Sequence, residues 1–202
     1  SSPSSPLTWL TRIKAILRPL TRFVTSHDSS GKACFSTQLL EDIPDTLLHN
    51  REYSFGLAYT TENFPAKLNE DQDITLYKRN LTNHPALTIS TGTVCRVVDI
   101  APGMTSAMHR TVSLDYGVVL KGEVELILDN GDTRLLKRGD IAVQRGTIHV
   151  WKNVTPVIEV DGKKVGAWAR MLYVLLPCEP IRINENAQLG EEVAGIDVRG
   201  ST

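Results

Sequence analysis

The sequence predicts an all-β domain, and three observations carry that reading. Short apolar runs follow one another from Thr91 to Leu176. Turn chemistry separates them at Pro102-Gly103, Lys121-Gly122 and Arg138-Gly139-Asp140. Asn130-Gly131 then stands between two β-rich segments, the signal of a tight type I′ hairpin. Many short strands punctuated in this way fold as a sandwich or a closed barrel.

The chain has 202 residues, which suits one domain with appendages. We divide it into an N-terminal arm over 1–20, a β domain over 21–180 and a polar C-terminal tail over 181–202. In the arm, Leu7, Leu10, Ile13, Ala15, Ile16 and Leu17 fall near helical spacing, and Pro19 ends the run. This predicts a short amphipathic helix docked on its own domain or on a sister subunit. Its cationic face is too thin for lipid binding.

Arg22 to Thr25 and Ala33 to Thr37 read as short strands around a turn at His27-Asp28-Ser29-Ser30-Gly31. Residues 38–50 read as loop with a helical turn. Ser54 to Thr60 alternates Phe55, Leu57 and Tyr59, the pattern of a strand. Phe64 to Asp73 reads as loop and Ile74 to Tyr77 as an edge strand. Seven β segments follow: Thr91–Ile100, Tyr116–Leu120, Glu123–Leu128, Thr133–Leu136, Ile141–Gln144, His149–Lys152 and Trp168–Leu176. Val160 to Val165 reads as a solvated hairpin.

Composition narrows the function. Formal net charge is -1 with no basic run, which argues against nucleic acid. No apolar stretch is long enough for a bilayer, so no membrane role is expected. The spaced cysteines Cys34, Cys95 and Cys178 form no CxxC pair and read as reduced thiols, so a cytoplasmic protein is expected. Asn80-Leu81-Thr82 and Asn153-Val154-Thr155 match the glycosylation sequon and carry little weight without secretion. The chain contains no P-loop, GxGxxG, GxSxG or HExxH pattern, so neither a nucleotide nor an organic redox cofactor is expected.

The chemistry-bearing residues sit in two blocks. One runs from Gly103 through His109, Thr111 and Asp115 to Gly122. The other runs from Gly139 through Gly146 and His149 to Asn153. Strand side chains alternate faces, so His109, Thr111, Ser113 and Asp115 can share one side, and Trp151 shares a side with His149. One interior would then hold two imidazoles and a carboxyl, with Trp151 as an apolar wall. Imidazole titrates near neutrality and can act as general acid or base, with Asp115 orienting it. Arg96 and Arg170 lie on predicted strands, where either could clamp a carboxylate or phenolate. Arg145 lies in a turn and could line the mouth. Tyr59, Tyr77 and Tyr116 read as packing residues, and His27, His49 and His84 as surface residues.

These blocks resemble the two motifs of the cupin superfamily, whose fold is a jelly-roll β-barrel. The first motif reads G(X)5HXH(X)3-4E(X)6G, and Gly103, His109 and Gly122 match it. Thr111 replaces the second histidine and Asp115 the glutamate. The second motif reads G(X)5PXG(X)2H(X)3N, and Gly139, Gly146, His149 and Asn153 match it. The spacing before Gly146 is one residue shorter, and Gln144 replaces the proline. Arg22 to Asp28, Met108 to Asp115 and Val143 to His149 further resemble small single-domain fungal cupins associated with natural-product biosynthesis.

The resemblance implies a site in which three imidazoles and a carboxylate hold Fe, Mn, Ni or Zn. Here His109, Asp115 and His149 remain as candidate metal ligands, the donor types of a 2-His-1-carboxylate triad. A divalent transition metal and metal-free acid–base chemistry both stay open. The expected function is a lyase or isomerase that decarboxylates, dehydrates or cyclises an oxygen-rich, polyketide-like small molecule. His109, Asp115 and His149 are its candidate catalytic residues, and Arg96, Thr111, Arg145, Trp151 and Arg170 its candidate substrate contacts. An Fe(II)-dependent dioxygenase and a non-catalytic ligand-binding cupin are the alternatives. A homodimer is expected on the commonest symmetry of such domains.

Overall fold

A computed structural model describes residues 17–48, 52–160 and 162–195. The helix expected over Leu7 to Leu17 lies outside them except for Leu17, and so does His49. Leu17 itself is buried in a small cluster with Ala101 and Trp168.

Two antiparallel sheets carry the domain. The larger contains β3 (Asp45–Leu48), β4 (Tyr53–Thr61), β5 (Thr93–Ile100), β6 (Ser113–Lys121), β9 (Ile141–Arg145) and β13 (Ala169–Pro177). Its spatial order is β3-β4-β5-β13-β6-β9. The smaller contains β7 (Glu123–Leu128), β8 (Thr133–Lys137) and β10 (His149–Asn153), in the order β10-β7-β8. Val98, Ile100, Val119 and Met171 from the large sheet meet Val124, Leu136 and Trp151 from the small one in a single buried cluster. Burying these facing surfaces is what drives the sheets together. The arrangement is a cupin-like jelly roll built as two facing sheets, each with its own hydrogen-bond ladder, rather than as one ladder closed on itself. Short hairpins surround it: β1 (Thr25–His27) with β2 (Ala33–Phe35), and β11 (Ile158–Val160) with β12 (Lys163–Val165).

Four local expectations are corrected. Ile74 to Tyr77 is not an edge strand but part of helix α1 (Gln72–Thr82), preceded by a short 3-10 turn over Asn69–Asp71. Ile74, Tyr77 and the half-buried Leu81 recur at helical spacing, and Tyr77 Oη donates to Leu57 O at 2.7 Å, fixing the helix on β4. Residues 45–48, expected as loop or helical turn, pair with β4 as β3. The Asn130-Gly131 turn is not type I′, because Gly131 alone has positive φ (88°) there. Leu128 N donates to Asp132 O and Gly131 N to Leu128 O, giving a three-residue loop that needs only one left-handed residue. Finally, part of the segment after Pro180 is ordered as a hairpin of β14 (Ile181–Asn184) and β15 (Ala187–Leu189). Both sequon asparagines are buried, and Asn80 donates to Thr60 Oγ1 at 3.0 Å. Among the described residues, no helix is long and apolar enough to cross a membrane.

Candidate functional site

A cavity of about 140 Å³ opens between the sheets, walled by Phe55, Val98, Ile100, Trp151 and Leu175, with His109, Thr111, Asp115, His149 and Arg96 among its lining. Alternation sets this lining. β6 turns Ser113, Asp115, Gly117 and Val119 to the buried side, and β10 brings in His149 and Trp151.

His109 and His149 face each other across an isolated antiparallel bridge. His109 N donates to His149 O at 3.0 Å, and His149 N donates to His109 O at 2.9 Å. Their ring centroids lie 4.4 Å apart. Each ring is held by a hydrogen bond to a backbone carbonyl two residues before it. His109 Nδ1 meets Ala107 O at 2.9 Å and His149 Nδ1 meets Thr147 O at 2.9 Å. A carbonyl oxygen can only accept, so each Nδ1 carries the hydrogen and each Nε2 keeps its lone pair. Burial holds His109 below the ordinary imidazole range, against the pull of the Ala107 carbonyl. His149 is pushed down to about 4, chiefly by burial and further by the neighbouring His109. Both rings are therefore neutral at pH 7. A proton on one disfavours a second proton on the other, so the pair accepts one.

Asp115 lies apart from this pair in its bonding. Thr111 Oγ1 donates to Asp115 Oδ2 at 3.4 Å, and Ser113 Oγ donates to Thr111 Oγ1 at 2.8 Å. Asp115 Oδ1 is buried without a partner. Burial raises the carboxyl to about 6, while the Ser113 and Thr111 hydroxyls pull the other way.

Arg96 is only 6% exposed. Its Nη2 donates to Ala86 O at 3.0 Å, its guanidinium lies 5.2 Å from the Phe55 ring centroid, and its Nε is buried without a partner. Burial lowers it to about 10, so it remains a cation at neutral pH.

The structure does not bring Arg145 or Arg170 to the cavity. Arg145 is exposed on β9, on the opposite face from buried Gln144. Arg170 grips Asp99 through Nε at 2.6 Å and Nη2 at 2.9 Å, and Arg18 O through Nη1 at 2.7 Å. Phe55, Tyr53 and Tyr173 line the cavity without having been singled out as site residues. For Tyr173 a signal existed in Gly117, its partner across β6 and β13. A Cβ on Gly117 would sit 3.1 Å from the Tyr173 ring, so this strand glycine clears space for an aromatic neighbour.

Two imidazoles with free Nε2 lone pairs and backbone-anchored Nδ1 atoms have the form of metal-ligating histidines. A facial triad needs a third protein donor, and Asp115, although its Oδ1 is unpartnered, does not gather with the two imidazoles. Among the described residues, no three His, Cys, Asp or Glu side chains gather closely enough to hold a metal ion. The residues present do not fit a centre with three protein ligands.

No family model matches the chain. It is 42% identical over 181 residues to Phomopsin biosynthesis cluster protein C' of Diaporthe leptostromiformis, covering 90% of each chain. It is 40% identical over 171 residues to the cupin-domain-containing oxidoreductase virC of Hypocrea virens, covering 84% of this chain and 81% of that one. Among solved structures, the polyketide cyclase RemF of Streptomyces resistomycificus matches with a TM-score of 0.41 and 17% identity, over 68% of this chain and 75% of that one. Two-block motifs, facing sheets and relatives matched over more than four fifths of the chain agree: the chain belongs to the cupin superfamily, and the fungal proteins it is similar to include a biosynthesis-cluster protein and a cupin-domain-containing oxidoreductase.

Proposed function

We propose that this protein is a small-molecule enzyme of fungal secondary metabolism that moves a proton within an oxygen-rich substrate, and so isomerises, dehydrates or decarboxylates it. The observation that carries the reading is the His109–His149 pair: two neutral, backbone-locked imidazoles 4.4 Å apart on the wall of a half-enclosed cavity. Either Nε2 can take one proton from a carbon next to a carbonyl, leaving the C–H electron pair on the substrate as an enolate, or it can take the proton of a β-keto acid's carboxyl, after which the C–C bond breaks, CO2 leaves and the enolate remains. The same nitrogen then returns the proton to another atom, or gives it to a departing hydroxyl that leaves as water. Trp151, Phe55 and Leu175 exclude water and keep the imidazoles neutral between turnovers. Asp115, with its free Oδ1, faces the same space as a hydrogen-bonding group whose charge depends on pH.

The test is genetic and then chemical. Deletion of the gene should cause one intermediate to accumulate. The purified protein should convert that intermediate without consuming oxygen. His149→Ala should lower kcat/KM by roughly 10²- to 10⁴-fold, the usual contribution of a positioned acid–base group, while its circular dichroism stays native. Unimpaired turnover by that variant would rule out the pair. A second reading is favoured by the relatives at about 40% identity that are named oxidoreductases. It predicts stoichiometric oxygen uptake during the same conversion.

A further inference from the structure

Among the described residues two arginines, Arg96 and Arg110, are buried and Arg170 is half-buried, and the three differ in one respect. Arg110 is paired with Glu192, and Arg170 with Asp99. Arg96 faces the cavity, and among the described residues it meets no carboxylate. Its bonding is limited to one backbone carbonyl and the face of Phe55. A buried cation is ordinarily paired, because losing water costs more than a neutral carbonyl returns. Nε–H is buried and unpartnered, and the Arg96 side chain forms part of the cavity lining with no protein carboxylate against it.

The other walls restrict what could fill that place. They are mostly apolar or aromatic, and the aromatic set of Phe55, Trp151 and Tyr173 suits a flat, unsaturated body. The His109–His149 pair adds acceptors but no positive charge while it is neutral. Asp115 shares no hydrogen bond with Arg96, so it leaves the guanidinium unneutralised.

We propose that Arg96 is the anion receptor of the cavity and that the substrate is an aromatic or otherwise planar carboxylate, its carboxylate on the Arg96 guanidinium and its ring against Phe55 and Trp151. This deepens the proposed function and rests on the same cavity, but it concerns recognition rather than turnover. The acid-bearing end of the substrate would be fixed at Arg96, which presents the rest of the molecule to the imidazole pair.

Benzoate and its neutral isostere benzamide are suitable probes, measured by titration calorimetry at pH 7.5. Benzoate should bind the wild-type protein roughly 10- to 100-fold more tightly than benzamide, the range expected for a hydrogen bond to a charged group. Addition of benzoate should also shift the Arg96 Nε–H resonance, a readout that needs no variant. Arg96→Lys, which keeps the charge but loses the planar guanidinium fork, should bring the two affinities to within a few-fold of each other. His149→Ala should keep the preference for benzoate even though it loses turnover, so a failure of the acid–base reading leaves a different trace from a failure of this one. Equal binding of the two probes, no binding of benzoate, or an unmoved Arg96 resonance would overturn the assignment.

Discussion

Asp115 and His149 share one cavity, and burial moves their titrations in opposite directions. Asp115 is raised to about 6 from an ordinary value of 3.8. Its contribution to stability is therefore full below the ordinary value and is lost as pH rises through about 6, where a buried carboxylate forms. His149 is lowered to about 4 from 6.5, so its contribution is full above 6.5 and is lost as pH falls toward 4. Each group costs on the order of 3 kcal/mol on its unfavourable side. Asp115→Asn should thus raise the melting temperature at pH 8 and change it little at pH 3.5. Equal effects at both pH values would show that the buried charge is not the cause. Much of this site was legible as residue types: His109, Thr111, Asp115 and His149 line one cavity, as alternation along two strands implies. Their bonding was not legible. Whether Asp115 reaches an imidazole or a hydroxyl depends on ångström-scale placement that residue spacing leaves open, and the same holds for Arg170, whose partner Asp99 is distant in sequence.

Elements were read most reliably where turns bound them. The segment Glu123 to Leu128 was bounded by its turns, and β5, β6, β8, β9, β10 and β13 fall within a few residues of the runs that predicted them. Helix α1 was missed because its buried face is short, and its N-cap Asp71, held in the left-handed region, makes no side-chain capping bond. β3 was missed because its residues carry no clear alternation and owe their extension to pairing with β4. Asn153 shows what the second motif does structurally. From the end of β10 its Nδ2 donates to Ile100 O, Ala101 O and Ala167 O, and its Oδ1 accepts from Thr155 N. One buried amide therefore joins the small sheet to the end of β5 and the approach to β13. Asn153→Ala should destabilise the fold by about 2–4 kcal/mol, since several buried backbone groups lose partners at once. Urea denaturation measures this, and a loss below about 1 kcal/mol would mean that the junction is held by other contacts.

At the scale of the molecule, strand order was beyond reach of the sequence because the central pairings are non-local: β13 inserts between β5 and β6. The segment after β15 also had no local signal. Arg110 Nε donates to Gly190 O at 2.8 Å, and its backbone exchanges hydrogen bonds with Glu192 at 2.7 and 2.9 Å. Gly195 then completes part of the cavity wall. Truncation after Leu189 should speed hydrogen exchange at the Arg110 amide by at least tenfold and leave the centre of β6 protected. Unchanged exchange at Arg110 would show that this strap is not what shields it. Gly195 of the strap lines the same cavity as the imidazole pair, whose rear nitrogens already end on the carbonyls of Ala107 and Thr147. A carbonyl cannot carry a proton onward, so the two rings have no back exit to bulk water. Whatever hydrogen they capture must leave through the face by which it arrived, and the reactant itself becomes its nearest destination.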